Sequence, residues 1–149
     1  MAVTINASTS SGLVQTADTS GVITLQNNGT AALTVDSGNL QFNSGYGSVA
    51  TAYGCRAWVN FNGTGTVAIR SSGNVTSITD NGTGDYTVIF TNAMPDANYS
   101  AVGTNSGSGT SGEYSSGITS LTTSSVRMIA FKAGIGQADP TFFCVEILR

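Results

Sequence analysis

From Gly21 onward, apolar and polar residues alternate. Ile23 and Leu25 stand two residues apart, as do Leu33 and Val35, each flanked by polar or small partners. A period of two places such residues on one face of an extended strand. Between the two runs lies Asn27-Asn28-Gly29-Thr30, and Asn-Gly is the pair that best adopts the positive backbone dihedrals of a tight primed turn. Ser37-Gly38 sets up a second turn before a third short strand, Leu40-Gln41-Phe42. The pattern predicts a β-hairpin arm within residues 1–48. Its earlier stretch, 8–20, is polar and turn-rich, so the arm has too few apolar residues to fold alone, since isolated hairpins are marginal in water. Ile23, Leu25, Leu33 and Val35 are therefore expected to form an oligomer or attachment interface.

Residues 49–54 read as a linker, following a Gly-, Ser- and Tyr-rich stretch with no sustained period. Beyond it, eight short strand candidates follow: 57–61, 66–70, 75–79, 86–90, 99–103, 118–121, 126–131 and 142–148. Turn residues separate most of them at spacings typical of an all-β sandwich or jelly roll, which predicts a β-sandwich domain over 55–149. Asn62-Gly63-Thr64-Gly65 and Asn81-Gly82-Thr83-Gly84 are expected as hairpin loops. Met94-Pro95-Asp96 should end a strand and begin a crossing between sheets, because proline offers no amide to a ladder. Residues 104–117 read as a long polar loop, and Asn105, Glu113 and Tyr114 within it are the candidate receptor contacts.

Composition narrows the function. Charged residues make up 9% of the 149, against 40% apolar, so small polar side chains do most of the solvating. The five cations, Arg56, Arg70, Arg127, Lys132 and Arg149, never cluster, and the net charge is -3. Nucleic acid is thus not expected as a partner, since phosphate binding needs several cations acting together. The opening Met1-Ala2-Val3-Thr4-Ile5-Asn6 has no positive n-region and no apolar run approaches a membrane span. Synthesis in a cytoplasm without membrane insertion is the expectation. Cys55 and Cys144 are expected as reduced packing residues, with a bridge between them as a minor alternative.

The chain has no histidine, which removes the common triads and the usual proton shuttle. Catalysis would have to run on carboxylates, as in glycoside hydrolysis, with Asp80, Asp85, Asp96, Glu113, Asp139 and Glu146 as candidates. Most of these sit in turns, where Asp is ordinary, so a non-enzymatic protein with no cofactor and no metal is expected. The segment Asp80 to Asp85 alternates oxygen ligands but lacks the closing bidentate Glu of a calcium loop. Among the aromatic residues, Trp58 is expected in the core or a subunit interface in preference to ligand contact, and Tyr114 is expected to be exposed.

The opening residues 1–6, with Ser11-Gly12-Leu13-Val14-Gln15-Thr16-Ala17-Asp18-Thr19-Ser20-Gly21 and Leu25-Gln26-Asn27-Asn28-Gly29, resemble the N-terminal segment of small virion proteins of aquatic tailed phages. The stretch Ala57-Trp58-Val59-Asn60-Phe61-Asn62-Gly63, with Val67-Ala68-Ile69-Arg70, Asp85-Tyr86-Thr87-Val88 and Ala93-Met94-Pro95-Asp96-Ala97-Asn98-Tyr99, resembles a β-domain that recurs near the C-terminus of phage fibre proteins. The resemblance implies a homotrimeric virion component whose arm attaches to capsid or tail proteins while the C-terminal domain faces outward. Fibres generally carry a shaft, and here barely fifty residues precede the terminal domain, so a capsid decoration or cement protein stands beside a short fibre. A module binding host-surface glycan is the alternative, and a carboxylate-based glycan hydrolase the more remote one.

Overall fold

The computed structural model describes residues 21–43, 49–107 and 114–149, and the chain divides into two compact units, Met1–Ala52 and Tyr53–Arg149. All regular structure among the described residues is antiparallel β-strand. The opening 1–20 that shares the phage resemblance, and Glu113, lie outside the described residues.

The described residues of the first unit form a four-stranded sheet with strands in chain order: β1 (Ile23–Asn27), β2 (Thr30–Asp36), β3 (Asn39–Phe42) and β4 (Ala50–Thr51). Both expected turns are present. Asn28 and Gly29 have φ of 50° and 76°, and Ser37 and Gly38 have 51° and 79°, the consecutive positive values of a primed two-residue turn. Ser37 is an unusual occupant, and its hydroxyl donates to Asp36 Oδ1 at 2.9 Å. Ala50 and Thr51, within the expected linker, pair with β3. None of the described residues up to Ala52 is fully buried.

The second unit is a β-sandwich. One sheet has the order β6-β5-β13-β9, built from β5 (Cys55–Asn62), β6 (Ala68–Gly73), β9 (Ser100–Ser106) and β13 (Phe142–Leu148). The other has the order β10-β11-β8-β7, built from β7 (Val75–Gly82), β8 (Asp85–Phe90), β10 (Tyr114–Leu121) and β11 (Ser125–Lys132), with β12 (Gly136–Gln137) also on β11. All eight expected strands are present, and the chain does change sheets across Met94-Pro95-Asp96. Ala57, Val59 and Phe61 of β5 and Phe143, Val145 and Ile147 of β13 point inward. They meet Tyr86, Val88 and Phe90 of β8 and Val126, Met128 and Ala130 of β11.

At the centre, the Phe61 ring lies 5.1 Å from Tyr86 and 5.2 Å from Phe143, which is 5.9 Å from Tyr86. Such pairs each add about 0.5–1.5 kcal/mol beyond area burial. The buried Tyr86 hydroxyl reaches Asp139 Oδ1 at 2.8 Å and Gly63 O at 3.1 Å, while the Gly84 amide donates to the same Asp139 oxygen at 2.7 Å. Burial first, and then the Asp139 carboxylate, push the phenol well above its ordinary range, so it stays a neutral donor.

The expected loop over 104–117 is shorter than its composition suggests. β9 runs on to Ser106 and β10 begins at Tyr114, with 108–113 outside the described residues. These strand ends hold by polar contacts between the edges of the two sheets: Asn105 Nδ2 donates to Ser115 O at 2.8 Å, and Ser116 Oγ donates to Gly103 O.

Across β8 and β11, Arg127 grips Asp85 with two hydrogen bonds, Nε to Oδ1 at 2.8 Å and Nη2 to Oδ2 at 2.6 Å. The hydrogen bond from Arg127 is the main cause that holds the Asp85 carboxyl below its usual value, against a smaller effect of burial. A depressed folded value stabilises above the unfolded value of about 4, and that contribution is lost as pH falls through the folded value. Arg127→Gln is thus expected to lower the urea midpoint at neutral pH and to leave it unchanged once Asp85 is protonated. Equal losses at both pH values would assign the effect to packing instead.

Candidate functional site

Two surfaces gather exposed apolar side chains. The first is one face of the N-terminal sheet. The strand register sets Ile23 opposite Val35 and Val35 opposite Leu40, and sets Leu25 opposite Leu33 and Leu33 opposite Phe42. Opposed residues of an antiparallel pair share a face, so all six line one side. Thr24, Thr34, Gln41 and Thr51 are likewise in register on the other side. Ile23, Leu25, Val35, Leu40 and Phe42 are exposed and Leu33 is half-buried. The four residues expected as an interface therefore come together, and the register adds Leu40 and Phe42. Their signal was already in the chain: they are the apolar positions of an alternating third strand.

The second surface is the outward face of the β6-β5-β13-β9 sheet. Trp58, expected in the core or a subunit interface, lies outside the core and is 43% exposed. The reason is parity. Ala57, Val59 and Phe61 take the inward positions, and Trp58 shares the outward row with Asn60 and Asn62. Across the sheet, Trp58 opposes Glu146, which opposes Val102, and Asn60 opposes Cys144, which opposes Thr104. These residues border a shallow depression of about 460 Å³. Gly73 on β6 seats the indole: a Cβ there would fall 2.5 Å from Trp58 Nε1 and 2.9 Å from Cδ1, so the pyrrole side of the ring rests on bare backbone. Among the described residues, neither the indole N–H nor the Glu146 carboxylate has a hydrogen-bond or ion-pair partner. Asn60 Oδ1 accepts from Arg70 Nη1 at 3.3 Å, leaving its amide N–H groups outward, and Arg70 also lies 4.4 Å over the Phe142 ring.

The expected loop contacts are placed differently. Asn105 is half-buried inside β9; its Nδ2 bonds Ser115 O while its Oδ1 is enclosed without a partner, so it ties the two sheets together. Tyr114, expected to be exposed, is half-buried at the start of β10. A Cβ on Gly107 would fall 2.6 Å from its hydroxyl, and Lys132 Nζ sits 5.7 Å from its ring.

Four of the candidate acids have structural partners. Asp80 accepts from the Gly82 amide at 2.9 Å, Asp85 pairs with Arg127, Asp96 pairs with Arg149 at 2.5 Å, and Asp139 braces Tyr86 and Gly84. Both cysteines are free, and neither is a core residue: Cys55 is exposed and Cys144 half-buried. Cys55 opposes Leu148 while Cys144 opposes Asn60, an offset of four residues along β13, or roughly 13 Å, out of disulfide reach.

No family model, curated protein or solved structure matches this chain, which leaves its own residues as the ground for assigning a role.

Proposed function

We propose that this chain is a non-enzymatic structural protein of a tailed-bacteriophage particle, a small trimeric surface appendage acting as a short fibre or a capsid decoration. The observation that carries the reading is the N-terminal sheet: six apolar side chains in register on one face, five of them exposed and none of them fully buried among the described residues. An apolar face open to water gains stability from any surface that covers it. Large contiguous exposed apolar patches mark sites of protein association. Trimeric stoichiometry and attachment to capsid or tail proteins come from the resemblance of residues 1–29 and 57–99 to phage virion proteins.

Quantitative mass spectrometry of purified particles tests the proposal. The chain should be present at a fixed ratio to the major capsid protein. A ratio near one-to-one or one-to-few identifies a decoration protein bracing the shell, and a few dozen copies or fewer identify a fibre. Complete absence from the particles would reject the virion role.

A further inference from the structure

We infer that the outward face of β5, β13 and β9 is a saccharide-binding site for a neutral hexopyranoside, with Trp58 as the stacking surface and Glu146 and Asn60 as the hydrogen-bonding groups. The inference is independent of the virion assignment and of the N-terminal sheet.

The chemistry of the face selects the ligand. A pyranose presents an apolar C–H face and a rim of hydroxyl groups. Trp58 offers a broad apolar face, nearly half exposed, seated against Gly73 so that little rotamer freedom remains to be lost on binding. Next to it in register stands Glu146, an acceptor-only group with no partner among the described residues, and two residues along β5 the Asn60 amide, which keeps donors free. Val102, on the far side of Glu146, extends the apolar floor. The depression of about 460 Å³ falls in the range of small-ligand sites, of order 300–1,000 Å³.

Glu146 also argues against the main competitor, a second copy of this chain. Covering the face with a second copy would bury that carboxylate, and of the five cations Arg70, Arg127, Lys132 and Arg149 already have side-chain contacts within their own unit, which leaves Arg56, in the outward row of Trp58, as the one cation a copy could bring to it. A buried unpaired carboxylate is costly, whereas sugar hydroxyls donate to it directly and leave the rim wet.

Trp58 is the only tryptophan of the chain, so its emission reports this face alone. The full-length protein is titrated with methyl β-glucoside, methyl β-galactoside and N-acetylglucosamine while Trp58 fluorescence is followed, and binding is measured independently by calorimetry. At least one probe should shift the emission saturably. Trp58→Ala should abolish the calorimetric signal, and Glu146→Gln should weaken affinity about tenfold, as the loss of one charge-assisted hydrogen bond would. If Trp58→Ala fails to fold, Glu146→Gln carries the test, because that isosteric change on an exposed face leaves packing intact. Three results would overturn the inference: no saturable shift with any of the three sugars, wild-type affinity in Glu146→Gln, or a Trp58 that acrylamide cannot quench in the assembled protein. The last would identify the face as a contact between copies.

Discussion

If the chain assembles as the proposed trimer, the double variant Leu25→Asp/Leu33→Asp is expected to sediment as a monomer, with the second unit still folded. Leu25 and Leu33 are directly opposed in the β1–β2 pair and form, with Phe42 on β3, one of the two rows of the apolar face, beside the row of Ile23, Val35 and Leu40. The five exposed side chains of that face, when half covered, each have roughly 1 kcal/mol of burial still to gain from a partner surface. The change at Leu25 removes one of those contributions and the change at Leu33 removes a half-buried apolar side chain beside it, and both place charges where an interface would exclude water, at a cost of several kcal/mol by order of magnitude. The double change falls in the first compact unit, and the second has its own buried core of aromatic and aliphatic residues. Its tryptophan emission and near-ultraviolet dichroism should therefore be retained. Sedimentation as an unchanged trimer would remove this face from the interface. Loss of the Trp58 signal along with the oligomer would mean instead that the second unit depends on assembly.

The strands and turns were legible because each had a local signal. Asn28-Gly29 and Ser37-Gly38 fixed the two hairpin turns, and alternation at Ile23, Leu25, Leu33 and Val35 fixed the face they share. Of the two places expected for Trp58, the structure excludes the core: a large aromatic side chain suggests it, while a place in the row of Asn60 and Asn62 puts the ring outside. Period, not size, decides which way a strand residue points. The ends of β9 and β10 left no such trace. Gly103, Asn105, Ser115 and Ser116 are small or polar, and they hold their strands through hydrogen bonds between two sheets that only the folded topology brings together. The pairing of Trp58 with Glu146 and Val102 is likewise a product of register among β5, β13 and β9, strands far apart in the chain.

Phe142 and Phe143 make that dependence on register measurable, since two adjacent phenylalanines should respond to the same substitution very differently. Phe143 is fully buried and stacks within the Phe61–Tyr86 cluster, and it opposes Phe61 across the β5–β13 pair. Removing its ring leaves a cavity walled by both sheets, whose backbones are tied by their ladders and cannot collapse inward. Phe143→Ala is expected to cost about 3–5 kcal/mol, a large part of the 5–15 kcal/mol typical of a whole domain. Phe142 points the other way, 43% exposed beneath the Arg70 guanidinium. Phe142→Ala gives up one exposed cation–π contact and some surface burial, and is expected to cost about 1 kcal/mol or less. Urea unfolding followed by Trp58 emission reads both variants with one probe. A midpoint for Phe143→Ala close to wild type, or a Phe142→Ala loss as large as that of Phe143→Ala, would contradict the β13 register and, with it, the outward row of Cys144 and Glu146 on which the saccharide site is built.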